Sequence, residues 1–162
     1  MSDFYTEQLV KKRTTMKDVF IKAFLVAVAI VSVITVLMFP LGIIIPIIVI
    51  VLVVFLIRRL DVEYEYLYVN GDLDIDKIMH KAKRKRVFST NISNMELLAP
   101  EGAYELNNYT NAKVVDYSSG MADAKRYVLV VAENGQVTKL IFEPNETIIE
   151  GIFLMAPRKV KK

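Results

Sequence analysis

Between Ala23 and Ile57, thirty-five consecutive residues carry no charge, and any fold proposed for this chain has to accommodate them. A run of about eighteen apolar residues reads as a transmembrane helix, and about twenty cover the hydrocarbon core. As one straight helix the run would measure about 52 Å at ~1.5 Å per residue, against a core of about 30 Å. It is interrupted by Phe39, Pro40, Leu41, Gly42 and Pro46. Proline lacks an amide donor and clashes with the preceding turn, so a break falls there. The expectation is a transmembrane α-helical hairpin over residues 23–57. Pro46 either opens its second helix as a first-turn proline or kinks a helix that begins near Leu41. The rival is a single tilted, kinked span.

The flanks set an orientation. Lys11, Lys12, Arg13, Lys17 and Lys22 precede the run, and Arg58 and Arg59 follow it. No charge lies between the two halves, so the positive-inside rule places both termini in the cytoplasm and the chain, multi-pass, in the inner (cytoplasmic) membrane. A cleaved signal peptide would have a shorter apolar core of about 7–15 residues and a small-residue cleavage site.

Residues 60–162 are enough for one small domain with its own core. They hold 14 Lys and Arg against 15 Asp and Glu, so the excess of +3 comes from the membrane flanks. That balance argues against a nucleic-acid partner. The chain has no cysteine, which excludes disulfides and thiolate metal sites.

Residues 1–22 read as an interfacial cytoplasmic segment, with Tyr5, Leu9, Met16 and Phe20 on one helical face, or as a partly ordered tail. Thr15 and Asp18 have capping-box spacing, which starts the first helix near Met16. After Arg59 the pattern changes to alternation. Glu63 to Val69 sets Tyr64, Tyr66 and Tyr68 on one strand face, where core packing is the simplest role, and Asn70-Gly71 signals a hairpin. A second strand follows, with Asp72, Asp74 and Asp76 on its solvent face. Further strands are expected at Val87 to Thr90, Ile92 to Ala99, Ala112 to Tyr117, Tyr127 to Ala132 and Val137 to Phe142, the last two joined through Asn134-Gly135. Ile148, Ile149, Ile152, Phe153 and Ala156 have helical spacing, Asn145 caps the start and Pro157 ends it. The basic tail Arg158, Lys159, Lys161 and Lys162 is expected to be solvated. Residues 60–162 thus read as a cytoplasmic α+β domain, an antiparallel curved sheet of about seven strands closed by a C-terminal helix.

Over essentially its whole length the chain resembles a bacterial family of small two-span membrane proteins known only as a domain of unknown function. The resemblance is carried by Phe4-Tyr5-x-Glu7-Gln8-Leu9-Val10-Lys11, by Asp61 to Met79, and by Met95-Glu96-x-x-Ala99-Pro100. It continues through Val115-Asp116-Tyr117-Ser118-Ser119-Gly120, Phe142-Glu143-Pro144-Asn145 and Ala156-Pro157-Arg158-Lys159-Val160. It implies no activity. In element order alone, residues 60–157 also resemble bacterial pleckstrin-homology-like modules. The tryptophan common in the closing helix of the eukaryotic relatives is missing, and the first hairpin turn, Asn70-Gly71-Asp72, is not basic. The resemblance therefore does not imply phosphoinositide recognition.

Catalytic and metal constellations do not assemble in the sequence. Asp72, Asp74 and Asp76 begin like a calcium loop, but the required glycine and final glutamate are replaced by Lys77 and Lys83. His80 is the only histidine and reads as a solvated loop residue. No catalytic, metal or cofactor-binding residue is assigned, and the chain reads as a non-enzyme.

The strongest candidate for recognition is the basic cluster Lys77, Lys81, Lys83, Arg84, Lys85 and Arg86, with Arg58 and Arg59 at the membrane edge, as contacts for anionic lipid headgroups. Each basic residue near an anionic leaflet gains about 1 kcal/mol. The competing reading is a solvated loop, or one neutralised by Asp72 to Asp76. The function expected is a membrane-anchored binding or scaffold module with a lipid-proximal domain, its partners the lipid bilayer and an unidentified protein. The alternative is a subunit of a membrane assembly that acts through its hairpin, where Ser32, Thr35, Gly42 and several alanines favour helix packing.

Overall fold

The computed structural model describes residues 4–38 and 43–161. Its elements run β1 (Tyr5–Lys11), α1 (Met16–Met38), α2 (Ile44–Arg59), β2 (Val62–Val69), β3 (Asp72–Met79), β4 (Lys83–Asn91), β5 (Met95–Pro100), β6 (Lys113–Asp116), β7 (Tyr127–Glu133), β8 (Gln136–Phe142) and α3 (Glu146–Met155). Short stretches of tighter helix lie at Ile92–Asn94, Tyr104–Tyr109 and Pro157–Lys159. The chain divides into two compact units. One comprises the residues up to Arg13, Glu63–Ile78 and Arg84 onward, and the other comprises Thr14–Val62 and Met79–Lys83.

All the strands expected after Arg59 are present, and an eighth joins them. Residues 5–11 are β1, not an interfacial helix, and pair antiparallel with β2 from Tyr5 opposite Val69 to Lys11 opposite Glu63. The local pattern hides this because β1 draws its ladder partners from a strand more than fifty residues away. The eight strands form two sheets of four instead of one curved sheet, in the orders β1-β2-β3-β4 and β5-β7-β8-β6. The second sheet is not purely antiparallel, since β6 runs parallel to β8.

Tyr64, Tyr66 and Tyr68 point into the core and are almost wholly buried, as alternation along β2 requires. The Tyr66 ring meets Phe142 edge-on at 5.6 Å between centroids, and its hydroxyl donates to the Tyr117 carbonyl at 2.6 Å. Leu73, Ile75, Leu129, Leu140, Ile148 and Ile152 are fully buried in the same unit. Beneath β5 and β7 a cluster of Leu97, Ala99, Leu106, Val128 and Val130 carries the packing of the second sheet.

α3 begins where Asn145 accepts from the Ile148 amide at 2.9 Å. Its Gly151 lies so close to Phe4 and Tyr68 that a Cβ would meet their ring carbons at 2.5 and 2.6 Å. Arg158, Lys159 and Lys161 are exposed, as a solvated tail requires, while Lys162 lies outside the described residues, but the backbone after Pro157 is tethered, which that expectation did not foresee. Val160 is buried and bridges to Leu98, the Lys161 amide donates to the Leu98 carbonyl at 2.7 Å, and Lys159 Nζ donates to the Met95 carbonyl at 2.6 Å.

In the other unit, α1 opens on a reciprocal capping box. The Thr15 amide donates to Asp18 Oδ2 at 2.8 Å, and the Asp18 amide donates to Thr15 Oγ1 at 3.3 Å. Residues Met16–Val36 are long and apolar enough to cross a membrane, and only 6% of their most apolar window is buried. α2 has 16 residues and packs against α1. Pro46 sits in its first turn, where the missing amide costs no hydrogen bond. The break assigned to Phe39, Pro40, Leu41 and Gly42 lies outside the described residues. Along α1, Ser32 donates to the Ala29 carbonyl and Thr35 to the Ser32 carbonyl, so both hydroxyls are satisfied within their own helix.

Candidate functional site

The segment Lys77 to Arg86 is a β-hairpin, not a loop. β3 and β4 are neighbours in the first sheet, and the Ala82 amide donates to the Met79 carbonyl at 3.2 Å across the turn. Both central residues, His80 and Lys81, have φ of 53°. Positive φ at both positions defines the type I′ turn that matches strand twist, and Asn-Gly is its preferred sequence. Asn70-Gly71 and Asn134-Gly135 supply that pair at the two other hairpins. At His80-Lys81 two side chains with a Cβ occupy the left-handed region instead, a local strain that the rest of the fold must hold.

Alternation along β4 divides the basic cluster. Arg84 and Arg86 lie on the face of the first sheet opposite the tyrosines, among the acids of β2 and β3. Arg84 Nη2 meets Glu65 Oε1 at 2.9 Å, and Arg86 meets Asp74 Oδ2 at 3.0 Å and Asp76 Oδ1 at 3.2 Å. Asp72 accepts from Asn91 Nδ2 at 2.6 Å. Two of the eight candidate lipid contacts are therefore already neutralised by protein carboxylates. Glu65 is buried and its Oε2 has no hydrogen-bond partner. Burial pushes its pKa up, helped by Glu7 and Asp76 and opposed by Arg84.

The remaining cations fall differently. Lys77 is half-buried on β3, while Lys81 at the turn and Lys85 on β4 are exposed. Arg58, Arg59 and Lys83 line a cavity of about 530 Å³ together with Phe55, Met79, His80 and Ala82. The hairpin tip is fixed there by the His80 amide, which donates to the Asp61 carbonyl at 3.0 Å. The Arg59 guanidinium stacks over the Phe55 ring, 4.4 Å from its centroid. None of the described residues lining the cavity is acidic. Sequence reasoning assigned His80 to a solvated loop. The available signal was the alternating acids Asp72, Asp74 and Asp76 followed by the continuous basic run Lys83 to Arg86, a charge reversal that fits two paired strands whose turn falls near His80.

The buried phenols keep their protons near neutral pH and so offer no phenolate base. Burial, and to a lesser extent Asp72, pushes Tyr68 up to about 12, and burial raises Tyr64 and Tyr66 as well. Among the described residues no group of three or more His, Asp or Glu side chains is gathered as a metal ion would require.

A family model described as a bacterial PH-like domain (DUF6106) matches residues 2–162. The chain belongs to that family. Its description names a fold, and two four-stranded sheets with a C-terminal helix fit it. No curated protein and no solved structure matches the chain. In this PH-like chain the cationic cavity lies at the β3–β4 turn, while the turn between β2 and β3 carries Asn70, Gly71 and Asp72.

Proposed function

We propose that this PH-like protein is a non-enzymatic, membrane-anchored binding module. In this reading α1 and α2 form a transmembrane hairpin, and both termini lie with the folded sheets on the cytoplasmic side. The observation that carries it is the β1–β2 ladder: the strand before α1 pairs residue by residue with the strand after α2. This ladder supports the hairpin over a single tilted span, because paired strands bring the two ends of the apolar run to one side of a bilayer. The ladder also argues against a cleaved signal, because cleavage after α1 would remove β1. Among the described residues between Ala23 and Ile57, the exposed side chains of both helices are apolar, including Phe24, Ile47 and Val51, as lipid requires. At 16 residues α2 measures about 24 Å, and a short span is accommodated by local thinning and by flanking Arg58 and Arg59 reaching the headgroups.

The absence of cysteine makes the topology directly testable. Single variants Lys12→Cys, Leu41→Cys and Lys161→Cys are to be labelled with a membrane-impermeant maleimide in intact cells and in permeabilised ones. The hairpin requires Leu41→Cys alone to react in intact cells, and both terminal variants only after permeabilisation. Opposite accessibility of the two terminal cysteines would exclude it. The alternative is an assembly in which the hairpin recruits other spans, but Ser32, already buried within the helical unit, supports packing of α1 on α2 and not that recruitment. A monomer in mild detergent counts against it.

A further inference from the structure

We infer that the cavity at the end of α2 binds the phosphate of a single anionic phospholipid. This inference rests on the membrane-anchored reading and makes one site of it specific. Its polar lining comes from two places in the chain, the cations Arg58 and Arg59 from the last turn of α2, and the His80 imidazole with the Lys83 ammonium from the β3–β4 hairpin. The side chains of Arg58, His80 and Lys83 have no ion-pair partner among the described residues, in contrast to Arg84 and Arg86. The cations Arg58, Arg59 and Lys83 gathered at one cavity repel one another, and a bound anion would relieve that repulsion. Two of the carbonyls that a helix C-terminus would turn against an anion are occupied here: the Leu60 amide donates to Ile57 and the Asp61 amide to Arg58.

The apolar lining, Phe55 and Met79, suits a ligand that is an anion at one end and hydrocarbon at the other. A volume of about 530 Å³ lies within the range of about 300–1,000 Å³ that small-molecule sites occupy. The depth also matches. Ile57 is the last residue of the uncharged run, so Arg58 and Arg59 come where the hydrocarbon ends and the phosphates begin. Strain at His80 and Lys81 is then held at a binding site, with the hairpin tip pinned by Asp61.

The test uses the full chain in a neutral detergent and native mass spectrometry, with dioleoylphosphatidylglycerol, dioleoylphosphatidylcholine or inorganic phosphate added separately. The expected result is one retained phosphatidylglycerol per chain and no comparable retention of phosphatidylcholine. R58Q and K83Q should each weaken retention, and together by about tenfold or more. K85Q with K125Q, which removes the same charge elsewhere, should leave retention unchanged. Each single variant alters an exposed side chain, so the comparison stands even if the double variant is poorly folded. Equal retention of both lipids, or equal loss in the two double variants, would overturn the site. Displacement of the lipid by millimolar inorganic phosphate would make free phosphate the ligand and overturn the lipid assignment. Maleimide labelling is an independent readout. Selective retention without the hairpin topology would leave the site and remove the membrane reading, and the reverse would remove the site alone.

Discussion

Lys11, the last residue of the strand before the first apolar helix, lies directly opposite Glu63, the second residue of the strand after the second helix. The apolar run between them is thus an insertion between two paired strands of one sheet. In the proposed hairpin, sheet folding and membrane insertion would be coupled through this ladder, since β2 pairs fully with β1 only when both ends of the run are on the same side.

Gly151→Ala should destabilise the protein although alanine is the better helix former by about 1 kcal/mol. The added methyl would sit 2.5 Å from Phe4 and 2.6 Å from the buried Tyr68 ring. Overpacking of this kind costs about 1–3 kcal/mol, so a net loss is expected, read as a lower denaturant midpoint of the detergent-solubilised chain.

The paired change His80→Asn with Lys81→Gly should act in the opposite direction. It gives the third hairpin the turn sequence of the other two, at backbone angles that His80 and Lys81 now adopt under strain. A gain of about 1 kcal/mol is expected at the same midpoint. A loss would mean that the native side chains contribute more to the fold than their turn geometry costs.

Arg86 and Lys85 should separate structural from solvated charge. Arg86→Gln leaves Asp74 and the buried Asp76 without their cation and should cost about 1–3 kcal/mol. Lys85→Gln, at an exposed position, should change stability by less than about 0.5 kcal/mol. Equal effects in thermal unfolding would contradict the division of the cluster.

Glu65 makes a pH-dependent contribution of definite sign. Its folded-state pKa lies above the ordinary value of 4.5, chiefly because it is buried. The folded state therefore holds this proton more tightly than the unfolded chain does. The associated stability is complete below the unfolded pKa and is lost as pH rises through the folded one. Glu65→Gln, whose amide can donate to the neighbouring Asp76, should stabilise the chain at neutral pH. Unfolding curves between pH 4 and 7 should show wild type and variant converging toward the acid end. A variant less stable than wild type at pH 7 would mean that the Arg84 pair outweighs desolvation.

Local chemistry determined much of the chain. An uncharged run of thirty-five residues, Asn-Gly at two turns, the Thr15–Asp18 box and Asn145 before an amphipathic segment each act over a few residues, and each appears where the residues themselves put it. Alternation likewise determined that Tyr64, Tyr66 and Tyr68 share one face. What tertiary structure decided depends on partners distant in sequence. Residues 5–11 become a strand because β2 offers them a ladder, and Val160 is buried because β5 lies beside it. The cationic segment lacks a glycine to mark its turn, so its charges suggest a loop until pairing with the acids of β2 and β3 makes it a hairpin. Which of its cations are neutralised and which remain around the cavity follows from strand register, and register is a property of the folded sheet.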